Sequence, residues 1–123
     1  MKVYRKLALT TRAWLHEHDT KNKEKHRETI KKLVSKYLPD GSGINNGVTF
    51  NFGESCSSKL VFNSSYHLNF DGSYGDWIDF TVVVSPSLIR EVDITINGKT
   101  IGENYDIHDY LHEVFYNSLI QEI

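Results

Sequence analysis

A single cysteine, Cys56, and only two prolines, Pro39 and Pro86, occur in this 123-residue chain. One thiol permits no intrachain disulfide, so the fold has to rest on its apolar core, and the chain is long enough to form one. With no proline and no glycine in residues 2–38, nothing there forbids continuous helix. No apolar run approaches membrane-spanning length, which excludes a helical membrane span. No secretory apolar stretch follows Met1, and with so little cysteine we expect a cytoplasmic protein. No G-x-S-x-G elbow and no P-loop lysine is present, so two common catalytic signatures are missing.

Cations are scarce beyond residue 38, where Lys59, Arg90 and Lys99 face 12 acids. Residues 1–38 hold the other 11 Lys and Arg against four acids. The net charge of -2 hides a surplus of seven positive charges followed by nine negative ones. A one-signed surface selects and steers oppositely charged partners, although two such halves could also attract each other.

Spacings of three and four among Tyr4, Leu7, Ala8, Thr11, Trp14 and Leu15 predict a first helix. A second apolar stripe, His26, Ile30, Leu33, Val34 and Tyr37, ends at Pro39 and the following Gly41-Ser42-Gly43 turn. Asp19-Thr20-Lys21-Asn22 separates the stripes and offers a helix cap at Asp19 or Thr20, which favours two helices over one long one. After Gly47 the period becomes two: Val48, Phe50 and Phe52, then Leu60 and Phe62, then Tyr66, Leu68 and Phe70. Residues 77–84 are apolar enough for a central strand covered on both faces, whereas Val92, Ile94 and Ile96 alternate with polar residues and predict one wet face. Asn97-Gly98 and Asp71-Gly72 are hairpin-turn signals. Asp106 is expected to cap a last helix whose stripe runs through Leu111, Val114, Phe115 and Leu119. We therefore expect a single α+β domain over residues 1–123. It has a basic helical segment over 1–38, a largely antiparallel sheet of four or five strands over 47–102, and a helix over 106–122 packed on that sheet.

Residues 66–80 hold five of the 15 aromatics together with Asp71, Asp76 and Asp79. Part of this is core. Near the turn, Tyr74 and Trp77 with the three aspartates form a candidate partner-binding surface, because rings supply buried area and carboxylates steer a basic partner. The same carboxylates with His67 could hold a divalent metal, although no Glu-x-Lys follows at a suitable spacing.

Lys21, Lys23, Lys25, Arg27, Lys31 and Lys32 give the second helix its basic character, broken by Glu24 and Glu28. The plain reading is a solvated face; the functional alternative is nucleic-acid binding, although no aromatic stacking platform accompanies the lysines. His108 and His112, one helical turn apart, could share a metal in a hydrolase, but Asp109 is a methylene shorter than the glutamate of an H-E-x-x-H motif and no later histidine follows. Boundary histidines packing their rings are the simpler account. Cys56 could act as a nucleophile if His67 came near, against the plainer reading of an inert thiol. His16-Glu17-His18 reads as surface. Residues 40–47 superficially resemble a phosphate cradle but lead into a strand, so a helix stop and tight turn explain them better. We expect no cofactor.

Leu38-Pro39-Asp40-Gly41-Ser42-Gly43-Ile44, Lys59-Leu60-Val61-Phe62, residues 81–88 (Thr-Val-Val-Val-Ser-Pro-Ser-Leu) and Ile107-His108-Asp109-Tyr110-Leu111 occur in an order that resembles a group of short proteins encoded by bacteriophages and integrated mobile elements. The likeness covers about residues 30–120 and rests on a helix stop and strand cores, so it transfers no catalytic residue. It implies a compact accessory protein. Such proteins bind and disable host factors, CRISPR and other defence complexes among them, or assist phage DNA transactions. The leading expectation is a non-enzymatic inhibitor that occludes a host or defence protein or ribonucleoprotein, with nucleic-acid binding second and a metal hydrolase third.

Overall fold

The computed structural model describes residues 1–39, 47–67, 77–89, 92–97 and 104–123. Two helices come first, α1 (Val3–His16) and α2 (Thr20–Tyr37), then strands β1 (Thr49–Phe50), β2 (Leu60–His67), β3 (Trp77–Val84) and β4 (Val92–Asn97), then α3 (Asn104–Leu119). The strands form one antiparallel sheet in the order β1-β2-β3-β4, which makes the domain α+β with four described strands.

The break between α1 and α2 has a clear cause. The Asp19 carboxylate accepts hydrogen bonds from the N–H groups of Lys21 at 2.8 Å and Asn22 at 3.1 Å, satisfying donors that a helix start leaves unpaired. Residues 2–38 are therefore two helices. α1 buries Val3, Leu7, Thr10 and Thr11, with Trp14 half-buried, while Leu15, expected on the stripe, is exposed. Thr10 and Thr11 tolerate the core because their hydroxyls donate to the carbonyls of Lys6 and Leu7, both at 2.7 Å. α2 buries Ile30, Leu33 and Val34, as its stripe predicts.

β-branched and aromatic side chains fill β3, which pairs with β2 from Leu60↔Val84 to His67↔Trp77. Phe62, Phe80, Val82, Val84 and Val92 are buried beneath the helices. From α3, Leu111, Phe115 and Leu119 come down on them at i, i+4 and i+8. Phe115 lies 5.9 Å from Phe80, edge-on at 85°, and 6.4 Å from Phe62. Chain ends meet beside α3: Val3 N–H donates to the Gln121 carbonyl and Ile123 N–H to that of Met1, each at 2.9 Å.

Several expectations need correction. β3 is central but covered on one face only, since Asp79 is exposed and Thr81 and Val83 are half-buried on the other. β1 stops at Phe50 instead of reaching Phe52. The Asn51 carbonyl accepts from Ser55 N–H at 3.1 Å in a turn, so Asn51 cannot complete its pair with Val61. α3 starts at Asn104, which puts Asp106 within the first turn and not at the cap, and it ends at Leu119 and not at 122. No described strand follows β4 to answer the Asn97-Gly98 signal; α3 is the next described element, while Gly98, the Asp71-Gly72 turn and Leu68 and Phe70 lie outside the described residues. The helix stop at residue 38 agrees with expectation, and Gly47 takes φ 83, a left-handed value that glycine adopts without strain.

Candidate functional site

The face of the sheet turned away from the helices carries Thr49, Val61, Asn63, Ser65, Asp79, Thr81, Val83, Asp93 and Thr95, of which Val61 alone is buried. Cross-strand pairing sets them side by side, Asn63 opposite Thr81 and Thr81 opposite Thr95. Their polar groups are tied across the strands: Asn51 Nδ2 donates to Asn63 Oδ1 at 3.1 Å, and Asn63 Nδ2 donates to Thr81 Oγ1 at 3.0 Å. Ser65 Oγ donates to Asp79 Oδ1 at 2.7 Å, which orients an exposed carboxylate. Among the described side chains of β2, β3 and β4, Asp79 and Asp93 are the only ones that carry charge. Asp93 was not singled out from the sequence, although its place in a wet alternation was the available signal.

Of the acidic aromatic cluster, Asp71, Tyr74 and Asp76 lie outside the described residues. Trp77 enters the structure as the first residue of β3, its backbone opposite that of His67. Asp79 is therefore the one member of that set whose surroundings are described, and it lies on the face turned away from the helices.

The cations of α2 divide into two groups. Lys23 Nζ lies 5.0 Å from the Trp14 ring centroid and the Arg27 guanidinium 4.2 Å from that of Phe52, so both are half-buried against aromatic faces. Lys21, Lys25, Lys31 and Lys32 are exposed, with Lys31 Nζ 3.6 Å from Glu28. α1 shows the purer charge. It contains no acid, and its exposed Arg5, Lys6 and Arg12 have no ion-pair partner among the described residues. Sequence reasoning passed over these three because the lysines are denser in α2.

Between the basic and acidic halves, the ion pairs among described residues converge on Glu122, held by Lys2 Nζ at 2.9 Å and the Met1 ammonium at 3.0 Å. These bonds pull the Glu122 carboxyl below its usual range, Lys2 contributing most. The remaining charges of the two halves stay unpaired with each other among the described residues, so the asymmetry of the sequence persists on the folded surface.

His108 and His112 are both half-buried, and the His112 ring stacks on Tyr116 at 6.4 Å and 15°. Among the described residues no group of three His, Cys, Asp or Glu stands close enough to hold a metal. Cys56 sits in a turn closed by its own backbone bonds to Lys59, with Sγ 3.1 Å from Ser58 Oγ. That contact lowers the thiol pKa by favouring the thiolate. His67 contributes only its described backbone, in β2.

No protein-family model, no curated protein and no solved structure matches this chain. No described helix is long and apolar enough to cross a membrane.

Proposed function

We propose that this protein acts by binding a macromolecule through the outer face of its sheet and the acidic aromatic segment that joins β2 to β3. One observation carries the reading: beyond the end where Val61 is buried, the described side chains of that face are exposed or half-buried, and its described charges, Asp79 and Asp93, are both negative. The partner class is a protein or ribonucleoprotein with a basic surface, of host or defence origin, and the mode is occlusion. Rings at Tyr74 and Trp77 would supply buried area, while Asp71, Asp76, Asp79 and Asp93 steer the encounter. Affinity capture from host lysate tests it, with wild-type protein run beside an Asp79→Lys/Asp93→Lys variant. A partner retained by the wild type and lost by an equally stable variant supports the reading. Identical captures by the two would sink it.

A second reading, nucleic-acid binding by the helical hairpin, is favoured by Arg5, Lys6 and Arg12 on α1, which have no ion-pair partner among the described residues. It predicts binding that weakens steeply with salt, by about 0.9 in the log–log slope for each phosphate contact. A gel-shift series over salt concentration, repeated with those three residues changed to glutamine, should show a shallower slope. No salt-sensitive binding to duplex or single strands would leave the hairpin as a solvated face.

A further inference from the structure

The outward side of α1 is a cationic stripe. Arg5, Leu9, Arg12 and His16 follow one another at i, i+4, i+7 and i+11, so they share a face, and all four are exposed, with Lys6 exposed beside them. α1 contains no aspartate or glutamate. The outward side of α2 is mixed, because Glu24 and Glu28 are exposed among Lys21, Lys25, Lys31 and Lys32, and Glu28 lies 3.6 Å from Lys31. A polyanion laid on the hairpin therefore meets less repulsion at α1.

The same surface limits which polyanion fits. A helix that sinks into a lipid surface keeps its apolar face free, whereas α1 spends that face on the core through Val3 and Leu7. A protein partner is anchored by exposed rings, yet every ring of the two helices, Tyr4, Trp14 and Tyr37, is half-buried against the core, and Lys23 and Lys36 lie over the last two. Without an open ring, single strands find no stacking platform. Cations without anchors suit the repeated phosphates of a duplex, whose binding draws on counterion release. Leu9 separates the duplex forms. It is 50% exposed, and at about 100° per residue Lys6 stands to one side of it and Arg5 and Arg12 to the other, which sets cations toward both walls of a groove and leucine toward its floor. The major groove of B-form DNA admits a helix and offers thymine methyl groups to an apolar tip, whereas that of A-form RNA is too narrow for side chains to read. Granted the nucleic-acid reading of the hairpin, on which this rests, we propose that α1 is the contact helix and duplex DNA its ligand, with Arg5, Lys6 and Arg12 on the phosphates and Leu9 facing the floor of the major groove.

Fluorescence anisotropy with the full-length protein compares a DNA duplex of about twenty base pairs, the RNA duplex of the same sequence and one DNA strand alone, at low salt. Duplex DNA should bind at least about tenfold more tightly than either. Arg5→Gln/Arg12→Gln should weaken it by about tenfold or more, and Lys21→Gln/Lys25→Gln on α2 by distinctly less. These side chains are exposed, so an unchanged thermal midpoint confirms that the variants fold. Uracil in place of every thymine should weaken the wild type by about threefold and leave Leu9→Gln indifferent. Single strand or RNA bound as tightly as duplex DNA, or an α2 pair that costs as much as the α1 pair, overturns this assignment and leaves nucleic-acid binding standing. An equal response of wild type and Leu9→Gln to uracil overturns it as well. No binding to any probe, or displacement of the duplex by polyglutamate at equal charge concentration, removes both.

Discussion

The Ser55 hydroxyl holds both backbone groups of Val61, accepting from its N–H at 2.9 Å and donating to its carbonyl at 3.4 Å. In this way a side chain takes the place of the strand residue that the turn after Asn51 withdraws. Val61 is fully buried yet stands outside the main core cluster, so its N–H has no water to turn to. Ser55→Ala should lower stability by about 1–3 kcal/mol, the cost of leaving a buried donor unsatisfied, in urea unfolding. A change within a few tenths of a kcal/mol would mean that the turn rearranges to supply another acceptor.

Asp19 sets the boundary between the helices. Asp19→Ala should cost about 1 kcal/mol and Asp19→Asn much less, since asparagine keeps the accepting oxygen. Thermal unfolding of the two variants compares them directly; equal losses would show that charge, and not capping, is what matters there.

Phe115 joins α3 to the sheet through Phe62 and Phe80. Truncation in Phe115→Ala should remove about 3–5 kcal/mol, and Phe115→Leu less. Alanine at this position costing under about 1 kcal/mol would mean that α3 is not docked on the sheet as described.

Glu122 should titrate below a glutamate in a short unstructured peptide, because Lys2 and the Met1 ammonium favour its ionised form. A carboxyl depressed in the folded state stabilises above its unfolded pKa, and that contribution is lost as pH falls through the folded value. Acidification through that range should therefore loosen the contact of the two chain ends in the wild type but not in Glu122→Gln. The side-chain carbon shift of Glu122 reports the midpoint, and an ordinary value would refute the contact.

At Cys56, the Ser58 hydroxyl favours the thiolate, so alkylation by iodoacetamide at mildly alkaline pH should be slower in Ser58→Ala. An unchanged or faster rate would show that the serine does not act on the thiol.

Much of the architecture was legible in the residues. Periods of three to four predicted α1, α2 and α3, Asp19 was readable as a cap, and the alternation at Val92 and Ile94 predicted a strand with one wet face. What escaped depended on contacts between distant segments. The early end of β1 follows from the turn in which Ser55 N–H bonds the Asn51 carbonyl, and that turn is completed by the long-range bond between Ser55 and Val61, which no local pattern encodes. Leu15 is exposed in a helix that packs chiefly against α2, a neighbour its own spacing does not reveal. For the candidate surfaces, the density of lysine in α2 drew the eye, yet Lys23 and Arg27 lie against the rings of Trp14 and Phe52 while Arg5 and Arg12 have no acidic partner among the described residues.

Among the described residues the cations of α1 and α2 make no ion pair with Asp79 or Asp93 of the sheet, so positive and negative charge sit on different elements. A charged body nearby would exert a torque on the molecule before any contact is made, so the protein would arrive already turned, hairpin first toward a polyanion and sheet first toward a polycation.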